Sequence, residues 1–117
     1  MNGKILVVDD EKNITLVVEA MLARAGFEPV VFNDSAKALE FIESSAYVDA
    51  IVTDLYMPGP GGMEILEFCR KHRPQLPVVI ITAFNRDLGS AAELPRLRKP
   101  IELGDLLSVT NSYGCVG

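Results

Sequence analysis

Apolar positions along the chain fall into two alternating patterns. Residues 4–8, 29–32, 50–53 and 78–81 are short, nearly continuous apolar runs with the length and β-branched content of buried strands. Between them the apolar residues recur at helical spacing. Ile14, Val17, Val18, Met21, Leu22 and Ala25 mark one helical face, and Gly26 is its natural stop. Asn33, Asp34 and Ser35 offer caps for a second helix carrying Ala38, Leu39 and Ile42. The third strand ends at Asp54 and gives way to a turn-forming run, Met57 through Gly62. Ile65, Leu66 and Cys69 mark a third helix that Pro74 closes. The fourth strand ends at Thr82, residues 84–93 are weakly helical, and residues 94–98 form a short fifth strand ending at Lys99 and Pro100. Leu103, Leu106, Leu107 and Thr110 suggest a last helix, which Gly104 weakens by about 1 kcal/mol relative to Ala.

The strand–helix unit therefore repeats five times over 117 residues, a length that suits one domain, residues 1–117. Strands that are apolar throughout, each followed by a helix, imply a parallel sheet covered on both faces. Right-handed crossovers make this a doubly wound α/β fold. Residues 110–117 are small and polar and are expected to fray.

Composition narrows the function. A net charge of −5 argues against non-specific nucleic-acid binding, which needs a basic surface to displace counterions. Cys69 and Cys115 are too few for a disulfide framework and read as reduced thiols. No apolar stretch has the length of a membrane span, and Met1 runs almost directly into a strand. The expectation is a cytoplasmic domain that touches neither membrane nor DNA.

In an open parallel sheet, ligands bind beyond the carboxyl ends of the strands. At that edge the sequence places Asp9, Asp10 and Glu11 after the first strand, Asp54 after the third, Thr82 after the fourth and Lys99 after the fifth. Clustered carboxylates repel one another and call for a raised pKa or a bound cation. Oxygen donors without His or Cys favour a hard ion such as Mg²⁺. Lys99 adds a mobile positive charge and Thr82 a hydroxyl donor. A cation, an ammonium and a hydroxyl together can surround the equatorial oxygens of a phosphoryl group in transfer, and a carboxylate can be its nucleophile. Each residue also has a plain reading: Asp9 and Asp10 as helix caps, Asp54 as a turn residue, Thr82 as a strand residue, Lys99 as a surface charge.

The motifs VVDDE (Val7 to Glu11), TDLYMPGPGG (Thr53 to Gly62), IITA (Ile80 to Ala83) and KP (Lys99, Pro100) together resemble a receiver domain of two-component signalling over nearly the whole chain. The resemblance implies a flavodoxin-like sheet of strand order 2-1-3-4-5. It implies that Asp54 accepts a phosphoryl group from a sensor histidine kinase or a histidine phosphotransfer protein, and that the domain assists this reaction without being an enzyme. It also implies that Asp10 and Asp54 bind Mg²⁺ directly, that Asp9 helps through water, and that the Tyr56 carbonyl is a further ligand. Thr82 and Lys99 would hold the phosphoryl oxygens. Switching would act on a downstream output domain or protein, with a homodimer as one form.

Two features depart from the family pattern. The position three before Lys99, usually aromatic and coupled to the Thr during switching, is Arg96. The stretch from Thr82 to Lys99 is short by about one helical turn, so the fourth helix is expected to be shortened or irregular and the readout atypical. Tyr56 and Phe84 flank the expected site and could shield an acyl phosphate from water, whereas His72 reads as a solvated helix end. The chain could also be a receiver fold used as a constitutive interaction module. An aspartyl phosphatase would want an acid two residues after the nucleophile, where Tyr56 stands. No GxxxxGK[ST] loop supports a nucleotide enzyme.

Overall fold

A computed structural model describes residues 3–44, 47–54, 61–82 and 96–98, with the backbone alone described at 61, 62, 82 and 96–98. Five strands, β1 (Lys4–Val8), β2 (Glu28–Phe32), β3 (Ala50–Asp54), β4 (Val78–Thr82) and β5 (Arg96–Arg98), alternate with α1 (Lys12–Arg24), α2 (Ser35–Glu43) and α3 (Gly61–His72). All pairings are parallel, in the order β2-β1-β3-β4-β5 that the resemblance implies.

The period-two alternation of strand side chains sorts them onto two faces. Leu6, Val8, Ile51 and Ile80 pack with Ala38 and Ile42 of α2 and Ile65, Leu66 and Cys69 of α3. Ile5, Val7, Val52, Val79 and Ile81 pack with Val18 and Leu22 of α1 and with Phe27. Every strand of the central trio is therefore buried on both sides, which explains why its sequence is apolar throughout. Truncating a fully buried member such as Ile51 or Ile80 to Ala would cost about 2–5 kcal/mol.

The helix ends follow from local chemistry. The α1 helix stops at Gly26, whose φ of 95° is open to glycine at little cost. The Gly26 amide donates to the Ala23 carbonyl and the Phe27 amide to the Leu22 carbonyl, the paired bonds that close a helix in this way, and buried Phe27 seals the turn. Among the three candidate caps of α2, Asp34 is the one the chain uses: its Oδ1 accepts from the amides of Ala36 (2.9 Å) and Lys37 (3.4 Å).

Several expectations need adjustment. The α1 stripe is narrower than the apolar spacing suggested: Val18 and Leu22 are buried, but Val17 is 43% exposed, as is Leu16 at 60%, because a single helix on a sheet face buries only the residues aimed at it. Gly61 and Gly62, read as the end of a turn, are the first residues of α3. Of the expected strand at 94–98, the described part is 96–98. The weakly helical stretch 84–93, the last helix and the tail 110–117 with Cys115 lie outside the described residues. Cys69 is buried as its place on the helix face implied, and that burial pushes its thiol pKa up, with Arg73 acting in the opposite sense.

Candidate functional site

The register brings the strand ends level. Val8 pairs with Phe32 of β2 and with Thr53 of β3, so the next residues, Asp9 just past β1 and Asp54 at the end of β3, stand at the same height. Asp54 pairs with Ile81, and Thr82 pairs with Arg98. Thus β4 ends in Thr82 beside the acids, and β5 ends one residue before Lys99.

At this edge Asp9, Asp10, Glu11 and Asp54 converge, each offering a carboxylate oxygen, with these atoms all within 4.8 Å of one another. Asp9 is fully buried and Asp54 is 7% exposed, whereas Asp10 and Glu11 are open to solvent. The arrangement is a pair of enclosed acids with two more at the mouth. Like charges this close oppose one another, and low local dielectric strengthens the opposition. The positive end of α1, which starts at Lys12, offsets part of it.

The capping reading of the first two acids does not hold. The residue in the N-cap position of α1 is Glu11, with extended backbone and no side-chain cap bond. Its carbonyl accepts from the amides of Ile14 and Thr15 and starts the helix. Asp9 has a local role one step earlier: its Oδ1 accepts from the Glu11 amide at 2.9 Å, turning the chain from strand to helix. The same bond folds Glu11 back into the carboxylate group. The sequence places Glu11 as one of three acids at the strand end without marking it as a ligand; the signal for it is an acid two residues after Asp9.

Asn33 supports the site from just past the end of β2. Its Nδ2 donates to the Asp9 carbonyl at 2.9 Å and to the buried Thr15 Oγ1 at 2.8 Å. The Asp9 amide donates to the Phe32 carbonyl at 3.3 Å. The backbone of Asp9 is thereby tied to β2 and to α1 together. The sequence suggested Asn33 only as a possible cap. On the other side, the buried Thr53 hydroxyl donates to the Asp54 carbonyl at 2.9 Å and fixes the peptide that leaves the strand.

Of the remaining expected site residues, Thr82 is placed by its backbone at the end of β4, while Tyr56 and Lys99 lie outside the described residues, as does Phe84. Arg96 is the first residue of β5, paired with Ile80. The donor set at the edge is all oxygen, with two enclosed carboxylates and two that face water. That chemistry fits a hard divalent cation that keeps part of its hydration, and it does not resemble the nitrogen and sulfur sets that hold zinc. Among the described residues, no helix is long and apolar enough to cross a membrane.

The family described as the response regulator receiver domain matches residues 5–110. The chain is 33% identical over 113 residues to the DNA-binding transcriptional regulator NtrC of Escherichia coli K12, covering 92% of this chain and 24% of that one. It thus spans about a quarter of the length of that curated relative. Among solved structures, a response regulator receiver domain protein from Clostridium thermocellum superposes with a TM-score of 0.82 at 33% identity, over 95% of this chain and 93% of that one. A response regulator receiver protein from Sinorhizobium medicae gives 0.86 at 28% identity, over 96% and 94%.

Proposed function

The chain belongs to the response regulator receiver domain family of two-component signalling, and from that premise we propose that Asp54 is a phosphoacceptor charged from a phosphohistidine in a Mg²⁺-dependent reaction. The observation that carries this reading is the convergence of Asp9, Asp10, Glu11 and Asp54 within 4.8 Å at the carboxyl ends of the strands. The donor is a sensor histidine kinase or a histidine phosphotransfer protein. A carboxylate oxygen of Asp54 forms the new bond to phosphorus as the P–N bond to the donor histidine breaks. The imidazole keeps the electron pair of that bond and takes up a proton, and the product is an acyl phosphate.

The chain's own groups prepare this step. The enclosure of Asp54 limits water around the carboxylate that attacks, and the Thr53 bond to its backbone carbonyl holds the peptide from which that carboxylate projects. Asp10 and Asp54 would hold Mg²⁺ directly, Asp9 through water, and the Tyr56 carbonyl would complete the set, with Glu11 close enough to share its hydration. When bound, the ion supplies positive charge against the phosphoryl oxygens. Thr82 and Lys99 would hold the same oxygens from the fourth and fifth strands. Charging then shifts the domain between two states that an output domain or protein reads. With Arg96 at the start of β5, where the family usually has an aromatic, that readout takes an atypical course.

The test is the intact mass of the chain with Mg²⁺ and acetyl phosphate, beside Asp54→Asn. Gain of one phosphate in the parent alone supports the assignment. No gain with acetyl phosphate or with any of a panel of histidine kinases, together with no Mg²⁺ binding, would leave a constitutive interaction module as the better reading.

A further inference from the structure

The helices α2 and α3 lie on the same face of the sheet and enclose an open groove of 710 Å³. Its floor is apolar and incompletely covered. Leu39, Met63 and Phe68 pack inward against the core, yet each keeps part of its surface toward solvent. An apolar trough between two helices accepts the apolar face of a third. Met63 adds adaptability, since an unbranched thioether side chain repacks around different partners.

The rim decides what kind of helix fits. Exposed Glu64 and Glu67 stand on the α3 wall, and exposed Glu43 stands on the α2 wall. Among the described residues, none of these three carboxylates is in an ion pair. Lys71, in the last turn of α3, is the lysine of the lining. Three carboxylates against one ammonium leave the rim negative, and the whole chain carries −5. An acidic segment, an anionic membrane surface or a second copy of this chain would set like charges against that rim. A helix with Lys or Arg flanking an apolar stripe meets the rim with opposite charge, while its stripe covers Leu39, Met63 and Phe68.

We propose that the α2–α3 groove docks a basic amphipathic helix of a partner protein. The groove shares no residue with the strand-end carboxylates, and the contact does not rest on phosphorylation of Asp54.

Fluorescence anisotropy at physiological salt tests it, where contacts between distant surface charges are screened. The probe is a labelled peptide of Leu and Lys with leucines at i, i+3, i+4 and i+7, beside a scrambled peptide of the same composition. Two variants of the chain raise its charge equally. Glu64→Gln with Glu67→Gln does so in the groove. Ala20→Lys with Ala23→Lys does so on α1, which packs on the opposite face of the sheet. All four positions are exposed and take good helix formers, so neither variant threatens folding. The parent and the α1 variant should bind the probe alike. The groove variant should bind it about tenfold more weakly, and the scrambled peptide should lose a similar factor on the parent. A probe that does not bind the parent overturns the proposal. So does a groove variant that binds like the parent, or an equal loss in both variants, which would reduce the contact to net charge. A scrambled peptide that binds as tightly as the probe overturns it too, because the apolar floor would then have no part.

Discussion

Where the strands begin, Asp49 sits among hydrogen-bond donors; where they end, Asp9, Asp10, Glu11 and Asp54 share one small space. At the starting edge Asp49 is surrounded by hydrogen-bond partners. Its Oδ2 accepts from the Lys4 amide at 2.6 Å, its Oδ1 accepts from the Tyr47 hydroxyl, and its own amide donates to the Lys4 carbonyl at 2.7 Å. Lys4 also lies 3.6 Å from Glu28, an exposed pair worth little to stability. At the finishing edge, Asp9 and Asp54 are more deeply buried than Asp49, yet their neighbours include Asp10 and Glu11. The first arrangement is what a structural carboxylate looks like. The second gathers four carboxylates in one place, an all-oxygen donor set of the kind that a hard cation uses.

The comparison can be broken most sharply by exchanging acid for amide at each edge. Asp54→Asn should abolish phosphate gain from acetyl phosphate, and Asp49→Asn should leave it at the parental level; intact-mass spectrometry reads both. Loss of the modification in Asp49→Asn, with the fold retained, would erase the contrast. The next effect concerns Mg²⁺. Titration calorimetry should show Asp10→Asn weakening Mg²⁺ binding by about tenfold or more, since it removes a carboxylate from the cluster, with Asp49→Asn unchanged.

A smaller effect tests the neutral support of the acid edge. Asn33→Ala removes two hydrogen bonds and leaves the Asp9 carbonyl and the Thr15 hydroxyl without the amide that joins them. Denaturant unfolding should register a loss of about 1–2 kcal/mol, and Mg²⁺ affinity should fall with it. The metal-free stabilities of the two amide exchanges sharpen the comparison further because they differ in sign. Asp49→Asn should lose about 1 kcal/mol with the charge that its donors oriented around. Asp10→Asn should gain about 0.5 kcal/mol by relieving repulsion at the mouth of the site.

The smallest effect is a pH dependence at the starting edge. The Asp49 carboxylate, first as hydrogen-bond acceptor and then as a negative charge, raises the Tyr47 phenol above its ordinary pKa of 10.0. A raised folded-state pKa means that the protonated phenol is favoured by folding. Its contribution is therefore fully present below pH 10 and is lost as the pH rises through the folded-state value. In Tyr47→Phe that alkaline component should vanish from a pH series of unfolding midpoints.

Much of the architecture was legible in the residues alone. Continuous apolar runs marked the strands, helical spacing marked α1, α2 and α3, and Gly26 marked a stop that its positive φ explains. The acids could be assigned to one edge because parallel strands all point the same way, so the residues just past each strand end meet those just past the neighbouring ends. Less legible were the helix boundaries in glycine-rich and polar stretches. Gly61 and Gly62 read as turn residues, and Asn33, Asp34 and Ser35 as equivalent caps, because propensity alone does not say which of several suitable residues the chain will use.

By itself, then, the sequence determined the order of elements, the two-sided burial of the sheet and the candidate acids, since all of these arise from local periodicity and chain direction. Only the tertiary structure decided the strand register that puts Asp9 level with Asp54, the turn that draws Glu11 into their group, and the Asn33 bonds that tie Asp9 to β2 and α1. It alone decided that α3 presents Glu64, Glu67 and Lys71 along an open groove, and that Val17, apolar as Val18 is, faces water. Distances between side chains far apart in sequence depend on how strands slide and helices roll against each other, and those displacements are set by packing of the whole core.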